Sequence, residues 1–586
     1  MTSVDELFKK PSSAASAKRK LDATKDPNEL YKAAKLEADG DVKSKGKAPM
    51  VEDEMEDDGE AGPELPPDFD TEDGPDEDEE GRFFGGGMDR QTAQAMHYID
   101  QQEEGQTAPE KFDTAWLRRF ALNFEKKISK NAELRGKFEN DPQKFMASEA
   151  DLDTEIKELS ILSEHSELYT EFAKMGCVGS LVSLLSHENA DIAIDAIQII
   201  NELTDEDVEA EQEQWDTLVN ALLDVDLIEL LAQNLSRLDE ASETDRTGVY
   251  YVLGVLENLA SQTSHAEKIG QDKNLLPWLL TRIQQKERPV SQNQQYAAEI
   301  LAILLQSSPK NRNTFIGLEG VDVLLQLLSQ YRKRDPEKDS DEEEYVENLF
   351  DCLVCVVDEV SGKEKFVEAE GIELAQIMLK EGKFSKPRAL RTLDHALGGL
   401  EGGLACERLI ELAGLRTVFG MFMKKQENQT TEHLLGIFAS LLRLLPGGSA
   451  PRIRTLAKFM EKDYEKIEKL VKLRRDYASR VFPIEQAIGK ERKEYTPEEQ
   501  EIMAPEWLSR RFDAGLFSLQ LIDVILAWLV AEDDGAKKKI IALLADRDED
   551  LSLVQGTLKE QIEGLTEEED GQKDHKEMLE TLLQFL

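Results

Sequence analysis

Cysteine is scarce in this chain: four in 586 residues. That excludes a disulfide scaffold and suits a reducing compartment. Aromatic residues make up only 6 % of the chain and hydrophobic residues 40 %, which fits helices built on Leu, Ile, Val and Ala rather than a β-sandwich. Cations are outnumbered, with 71 Lys and Arg against 120 Asp and Glu and a formal charge of −49. A phosphate backbone is held by a surplus of Lys and Arg, so no direct nucleic-acid binding is expected. Basic partners are the expected ligands of such a surface. Long apolar runs are also few. The first ten residues, MTSVDELFKK, carry no apolar core of a secretory signal. The longest apolar stretch, Ala514 to Ala531, holds Gln520 and Asp523 in its middle. An Asp at bilayer centre costs about 2.5–3.5 kcal/mol, so the stretch reads as a buried core helix and no membrane partner is expected.

The charge is unevenly spread. Residues 1–50 have a balance of +3 and residues 51–80 a balance of −17, leaving −35 for residues 81–586. The acidic run has almost no large apolar side chains and several prolines, so residues 1–82 are expected to be a disordered tail. Within the tail, Lys9 and Lys10 precede Lys18, Arg19 and Lys20. Two basic clusters around a small-residue spacer read as a nuclear import signal. The competing reading is a solvated basic patch.

From Asp151 onward the apolar pattern is helical and its punctuation recurs. The anchors Val178, Leu227, Leu275, Val321, Ile372 and Leu415 are 49, 48, 46, 51 and 43 residues apart. Armadillo and HEAT repeats have periods of roughly 40–47 residues. A longer helix is expected after each anchor, over Asp191–Thr204, Thr247–Ser261, Gln294–Gln306, Val346–Val360 and Arg388–Leu400. Glu319-Gly320-Val321 and Glu370-Gly371-Ile372 place glycine at helix junctions, where a left-handed turn is expected. One repeat cannot cover its own apolar faces, so the helices must stack. The expected architecture is all-α: an armadillo/HEAT-type right-handed superhelical solenoid. It comprises an N-terminal helical cap (residues 83–150), about six armadillo repeats (residues 151–445) and a C-terminal helical capping region (residues 446–586).

Motifs that would carry catalysis find bland explanations. Cys352 and Cys355 form C-x-x-C in mid-helix, with no further ligands at zinc spacing. The seven histidines include no H-x-x-x-H pair. Gly398 to Gly403 follows a helix rather than a strand, against a phosphate loop. No catalytic residue, cofactor or metal site is expected, and an enzyme is the remote alternative. The long helices of armadillo repeats line the concave side, and their polar positions should face a ligand. The candidate peptide-binding residues on that face are Glu202, Asp205, Glu257, Asn258, Asp351, Asp358, Asp394 and Glu401. Asp351, Cys355 and Asp358 fall on one helical stripe, as do Gly254, Glu257, Asn258 and Ser261. An acidic groove of this kind would speed capture of a Lys/Arg-rich segment. The alternative is an ordinary solvated helix face.

Several long strings resemble a known family: Ala121–Tyr169, GVYYVLGVLENLAS (Gly248–Ser261), YAAEILAILLQ (Tyr296–Gln306), LRTLDHAL (Leu390–Leu397) and RRFDAGLFSLQ (Arg510–Gln520). They are similar to the β-catenin-like family of nuclear armadillo proteins, from about Met88 onward. The resemblance implies a nuclear, non-enzymatic scaffold of the pre-mRNA splicing machinery, a subunit of the Nineteen Complex. It implies binding to basic, nuclear-localisation-type segments of splicing factors, notably the Myb-domain cell-division-cycle-five-like protein. The alternative is a nuclear transport adaptor of importin-like type. Such grooves use Trp and Asn repeated on successive long helices. Here only Asn258 occupies the A-L-x-N-L position, and the five tryptophans do not follow the repeat. The apolar C-terminal segment Met578–Leu586 leaves a homodimer open.

Overall fold

The computed structural model describes residues 111–565 and 570–586. The expected tail with its import signal (Lys9, Lys10, Lys18, Arg19 and Lys20), and the cap as far as residue 110, lie outside the described residues. Among the described residues there is no strand.

The first described helix, α1 (Thr114–Lys137), starts where the Asp113 carboxylate accepts from the N–H groups of Ala115 and Trp116, satisfying orphan donors of the first turn. Its apolar stripe Trp116, Leu117, Phe120 and Phe124 is buried. The rings of Trp116 and Phe120 stack with centroids 5.3 Å apart. Helix α2 (Met146–Glu158) packs across α1.

Residues 169–444 form six three-helix units. The first holds α3 (Tyr169–Lys174), α4 (Cys177–Ser183) and α5 (Ala190–Thr204). The second holds α6 (Gln212–Leu223), α7 (Leu227–Arg237) and α8 (Glu243–Ala260). The third holds α9 (Thr263–Gly270), α10 (Leu275–Ile283) and α11 (Gln292–Ser307). The fourth holds α12 (Pro309–Gly317), α13 (Gly320–Leu328) and α14 (Asp341–Val357). The fifth holds α15 (Val360–Glu368), α16 (Gly371–Glu381) and α17 (Ser385–Leu397). The sixth holds α18 (Gly403–Glu411), α19 (Leu415–Phe422) and α20 (Asn428–Leu444). The six anchors sit in the first turns of the second helices. The third helices α5, α8, α11, α14, α17 and α20 pack each on the next as one continuous layer. That layer carries the armadillo fold: each third helix buries apolar residues against its own unit and its two neighbours. In α14, for example, every residue from Cys352 to Val357 is buried. Its N-terminus is stabilised by four acids, Asp341 to Glu344, beside the positive end of the helix dipole.

The glycine junctions before α13 and α16 depart from expectation. The left-handed residues are Glu319 (φ +59°) and Glu370 (φ +60°), not the glycines after them. Asp226 and Ala413 take the same conformation. Glycine is required one residue later for a different reason. A Cβ on Gly320 would lie 2.2 Å from the Phe315 ring, and one on Gly371 2.3 Å from the Phe366 ring. The bulky end of the first helix leaves no room for a side chain where the second helix begins.

The C-terminal region is built around one helix. Helix α21 (Ala450–Glu491) is broken at Glu461–Tyr464, where three residues have positive φ. It is followed by α22 (Pro497–Asp513), whose N-terminus is a capping box of Thr496 and Glu499. Helix α23 (Leu516–Glu532) then packs on α20 and is enclosed by α21, α24 (Asp534–Ala545), α25 (Ser552–Glu563) and α26 (Asp570–Leu583). Enclosure explains why α23 is apolar on nearly all sides. Its one charged core residue, Asp523, is fully buried and accepts from Arg474 Nε at 2.6 Å and Nη2 at 3.1 Å. Among the described residues no single helix is long and apolar enough to cross a membrane.

Candidate partner-binding face

The third-helix layer carries all but one of the nominated side chains on its helices or at their ends. Glu202 lies in α5 and accepts from Gln198 Nε2 one turn earlier, at 2.9 Å. Asp205 is the C-cap of α5, and its Oδ1 accepts the Asp207 N–H at 2.8 Å. Glu401 is exposed on the short 3₁₀ turn Leu400–Gly402 that follows α17.

The other five reach across to neighbouring units. Asn258 Nδ2, on α8, donates to the Asn201 carbonyl at 3.2 Å, to Asn201 Oδ1 at 3.3 Å and to Thr204 Oγ1 at 3.2 Å on α5. Gly254 makes this possible: a Cβ there would lie 2.4 Å from Asn201 Oδ1. Glu257 accepts the Tyr296 hydroxyl from α11. Desolvation and this carboxylate push the Tyr296 phenol far above its ordinary range. Asp351 accepts from Arg391 Nη1 at 2.7 Å. Asp358 pairs with His395 Nδ1 at 3.0 Å, and Asp394 pairs with His433 Nδ1 at 3.0 Å. Glu347, which the sequence reading did not nominate, pairs with Arg388.

These contacts change what the face can do. Opposed charges and polar groups on successive third helices clip one unit to the next. Part-buried clips of this type contribute about 0.5–1.5 kcal/mol each. They also consume the carboxylates that a basic ligand would otherwise meet. Asn258 holds the neighbouring helix, so its amide is committed within the layer. Two expected stripe members are also absent from the surface: Cys355 and Gly254 are buried. A signal for the clips was present in the sequence. Asp351 and Arg391, Asp358 and His395, and Asp394 and His433 are 40, 37 and 39 residues apart, a little under one repeat.

All four cysteines are buried. Desolvation pushes the thiols of Cys355 and Cys406 up to about 12 and that of Cys177 up to about 11, so they stay protonated, inert core residues at neutral pH. Among the described residues no group of three or more His, Cys, Asp and Glu is placed to hold a metal ion.

Comparison with known proteins places this architecture. The family model described as "Catenin-beta-like, Arm-motif containing nuclear" matches residues 93–559. A protein named beta-catenin-like protein 1 homolog from Schizosaccharomyces pombe is 38 % identical over 492 residues, covering 84 % of this chain and 86 % of its own length. Beta-catenin-like protein 1 from Homo sapiens is 37 % identical over 467 residues, covering 77 % of this chain and 82 % of its own. Among solved structures, one from work on the interaction between cadherin and beta-catenin is similar with a TM-score of 0.41 at 13 % identity. It covers 75 % of this chain and 65 % of that one.

Proposed function

The chain belongs to the catenin-beta-like, Arm-motif containing nuclear family, and from that membership we propose that it is a nuclear, non-enzymatic scaffold of the pre-mRNA splicing machinery, a subunit of the Nineteen Complex. Its ligands in this reading are basic, nuclear-localisation-type segments of splicing factors, with the Myb-domain cell-division-cycle-five-like protein the leading one. The observation that carries the reading is the charge of the chain beyond the acidic run. Residues 81–586 carry −35, of which −32 falls on residues 111–586, and the described part of that stretch is a stack of helices. Such a field attracts Lys/Arg-rich segments and accelerates their capture. The Lys9–Lys20 clusters fit the same reading as an import signal.

The clips described above redirect where capture occurs. Asp351, Asp358 and Asp394 are already engaged by Arg391, His395 and His433 of the following unit. Among the described residues Glu202 and Glu401 make no bond to a neighbouring unit, and they remain the nominated carboxylates for a peptide on this face. The test is a pull-down of the full chain with the basic segments of splicing factors across a salt titration. Capture that fades as salt rises supports the reading. Capture unchanged at high salt rejects charge as the driving force.

A further inference from the structure

A second acidic feature lies away from the third-helix layer. The C-terminal turns of α7 and α10, second helices of adjacent units, border a half-open cavity of about 390 Å³. One wall is the half-buried indole of Trp278, whose Nε1–H donates to the Leu235 carbonyl at 2.9 Å and so fixes the ring. Leu238 adds an apolar floor. At the rim, Asp239 accepts the Ala241 N–H at 3.1 Å. Deeper in, Arg282 is 2 % exposed and sits between Glu240 (Nε to Oε1, 2.6 Å) and Glu287 (Nη1 to Oε1, 3.1 Å). Three carboxylates against one guanidinium leave the lining at −2. The negative ends of two helix dipoles add to that field.

Elsewhere the chain fills comparable helix ends with its own cations. Arg237 donates to the carbonyls of His187 at 2.8 Å and Leu185 at 3.2 Å, beyond the end of α4. Lys469 donates to the Phe422 and Lys424 carbonyls at the end of α19, with its ammonium 5.0 Å from the centroid of the Phe422 ring. At the α7–α10 junction Arg246 caps only the Glu240 carbonyl, at 3.1 and 3.0 Å, Arg282 in the lining is outnumbered by acids, and space remains beside an aromatic wall.

We propose that this cavity receives an arginine side chain from a basic segment of a partner protein, with its guanidinium against Trp278 and paired with Asp239 at the rim. The site rests on the proposal above that basic segments are the ligands, and it locates their anchor on the second helices rather than on the third-helix layer. Arginine is favoured over lysine because a planar, weakly hydrated guanidinium stacks on indole while keeping its in-plane donors for carboxylates.

The test uses the full chain and two labelled peptides, heptalysine and the same peptide with arginine at its centre, read by fluorescence anisotropy at low salt. The wild-type chain should bind the arginine peptide about fivefold more tightly. Gln285→Lys places a positive charge at the cavity mouth and should weaken the arginine peptide by about tenfold. Trp278→Ala should abolish the preference for arginine. Circular dichroism and melting temperature report whether each variant is folded; if Trp278→Ala fails to fold, Gln285→Lys decides. A wild-type chain that captures neither peptide overturns the basic-ligand reading itself. Capture of both peptides with equal affinity, or affinities unchanged in Gln285→Lys, overturns the cavity alone and leaves that reading standing.

Discussion

Glu370 and Gly371 stand side by side with opposite tolerances. Glu370 has φ +60°, a conformation that costs an L-residue about 1–2 kcal/mol. Glu370→Gly removes that strain and gives back about 0.5–1 kcal/mol through the freer unfolded chain. The expected net is a gain near 0.5 kcal/mol. Gly371→Ala drives a Cβ into the Phe366 ring and should cost about 1–3 kcal/mol. Chemical denaturation of the two variants tests both signs. Sequence inspection located this junction but assigned the left-handed turn to the wrong residue. Glycine pattern alone does not distinguish a backbone requirement from a packing one.

Asp195 offers a second test at the level of one side chain. Burial and the neighbouring Asp153 push its carboxyl up to about 7, against the attraction of Lys157. In the unfolded chain it ionises near pH 4. Between those values the folded state holds the extra proton, so this group's contribution to stability falls as pH rises through that window. Asp195→Asn should therefore stabilise the chain at pH 8 by roughly 1–2 kcal/mol and have little effect near pH 4. Melting temperatures across that range check it. A benefit that is equal at both ends would refute the assignment.

At the level of helices, the apolar run around Asp523 was legible as a core helix because one charge in its middle argued against lipid. What neutralises that charge was not legible. Arg474 is 49 residues away on a helix whose charged sequence gives no sign of which face turns inward. The buried pair predicts an asymmetric mutational result. Asp523→Ala leaves Arg474 without its counter-charge and should cost about 3–5 kcal/mol. Replacing both residues by apolar ones of similar volume should cost far less. Thermal unfolding of the two single variants and the double variant measures the coupling. Additive losses would show that the pair does not act as a unit.

The third-helix layer shows the same division. Helix existence and order follow from the 3.6-residue apolar period, so the long helices could be read within a few residues of their ends. Val346–Val360 is the largest departure, since α14 runs from Asp341 to Val357. The expected helix left out its acidic N-terminal turn, Asp341 to Glu344, which the helix dipole stabilises. The role of Asp351, Asp358 and Asp394 depended on which residue of the next helix stands opposite each.

For the whole molecule, the long-range field is set by composition and predicts kinetics. At −35 over the body, association with a basic peptide should be fast at low ionic strength. Raising salt from about 50 to about 300 mM shortens the screening length from roughly 14 to 6 Å. The association rate constant should then fall by about tenfold or more, with a smaller change in dissociation. Stopped-flow binding of a basic peptide tests this. An association rate indifferent to salt would mean that the field plays no part.

The amino-acid order by itself determined the helical class, the repeat near 47 residues, the family and the sign of the surface charge. Each is a property of local periodicity, of matching strings or of a sum over residues, and none depends on which side chains meet. Only the tertiary structure decided which carboxylates are engaged and where an aromatic wall meets uncompensated acid. Those outcomes arise where helices from different repeats touch. Contact there depends on helix rotation and offset to within a few ångströms, which no pattern along a single segment encodes.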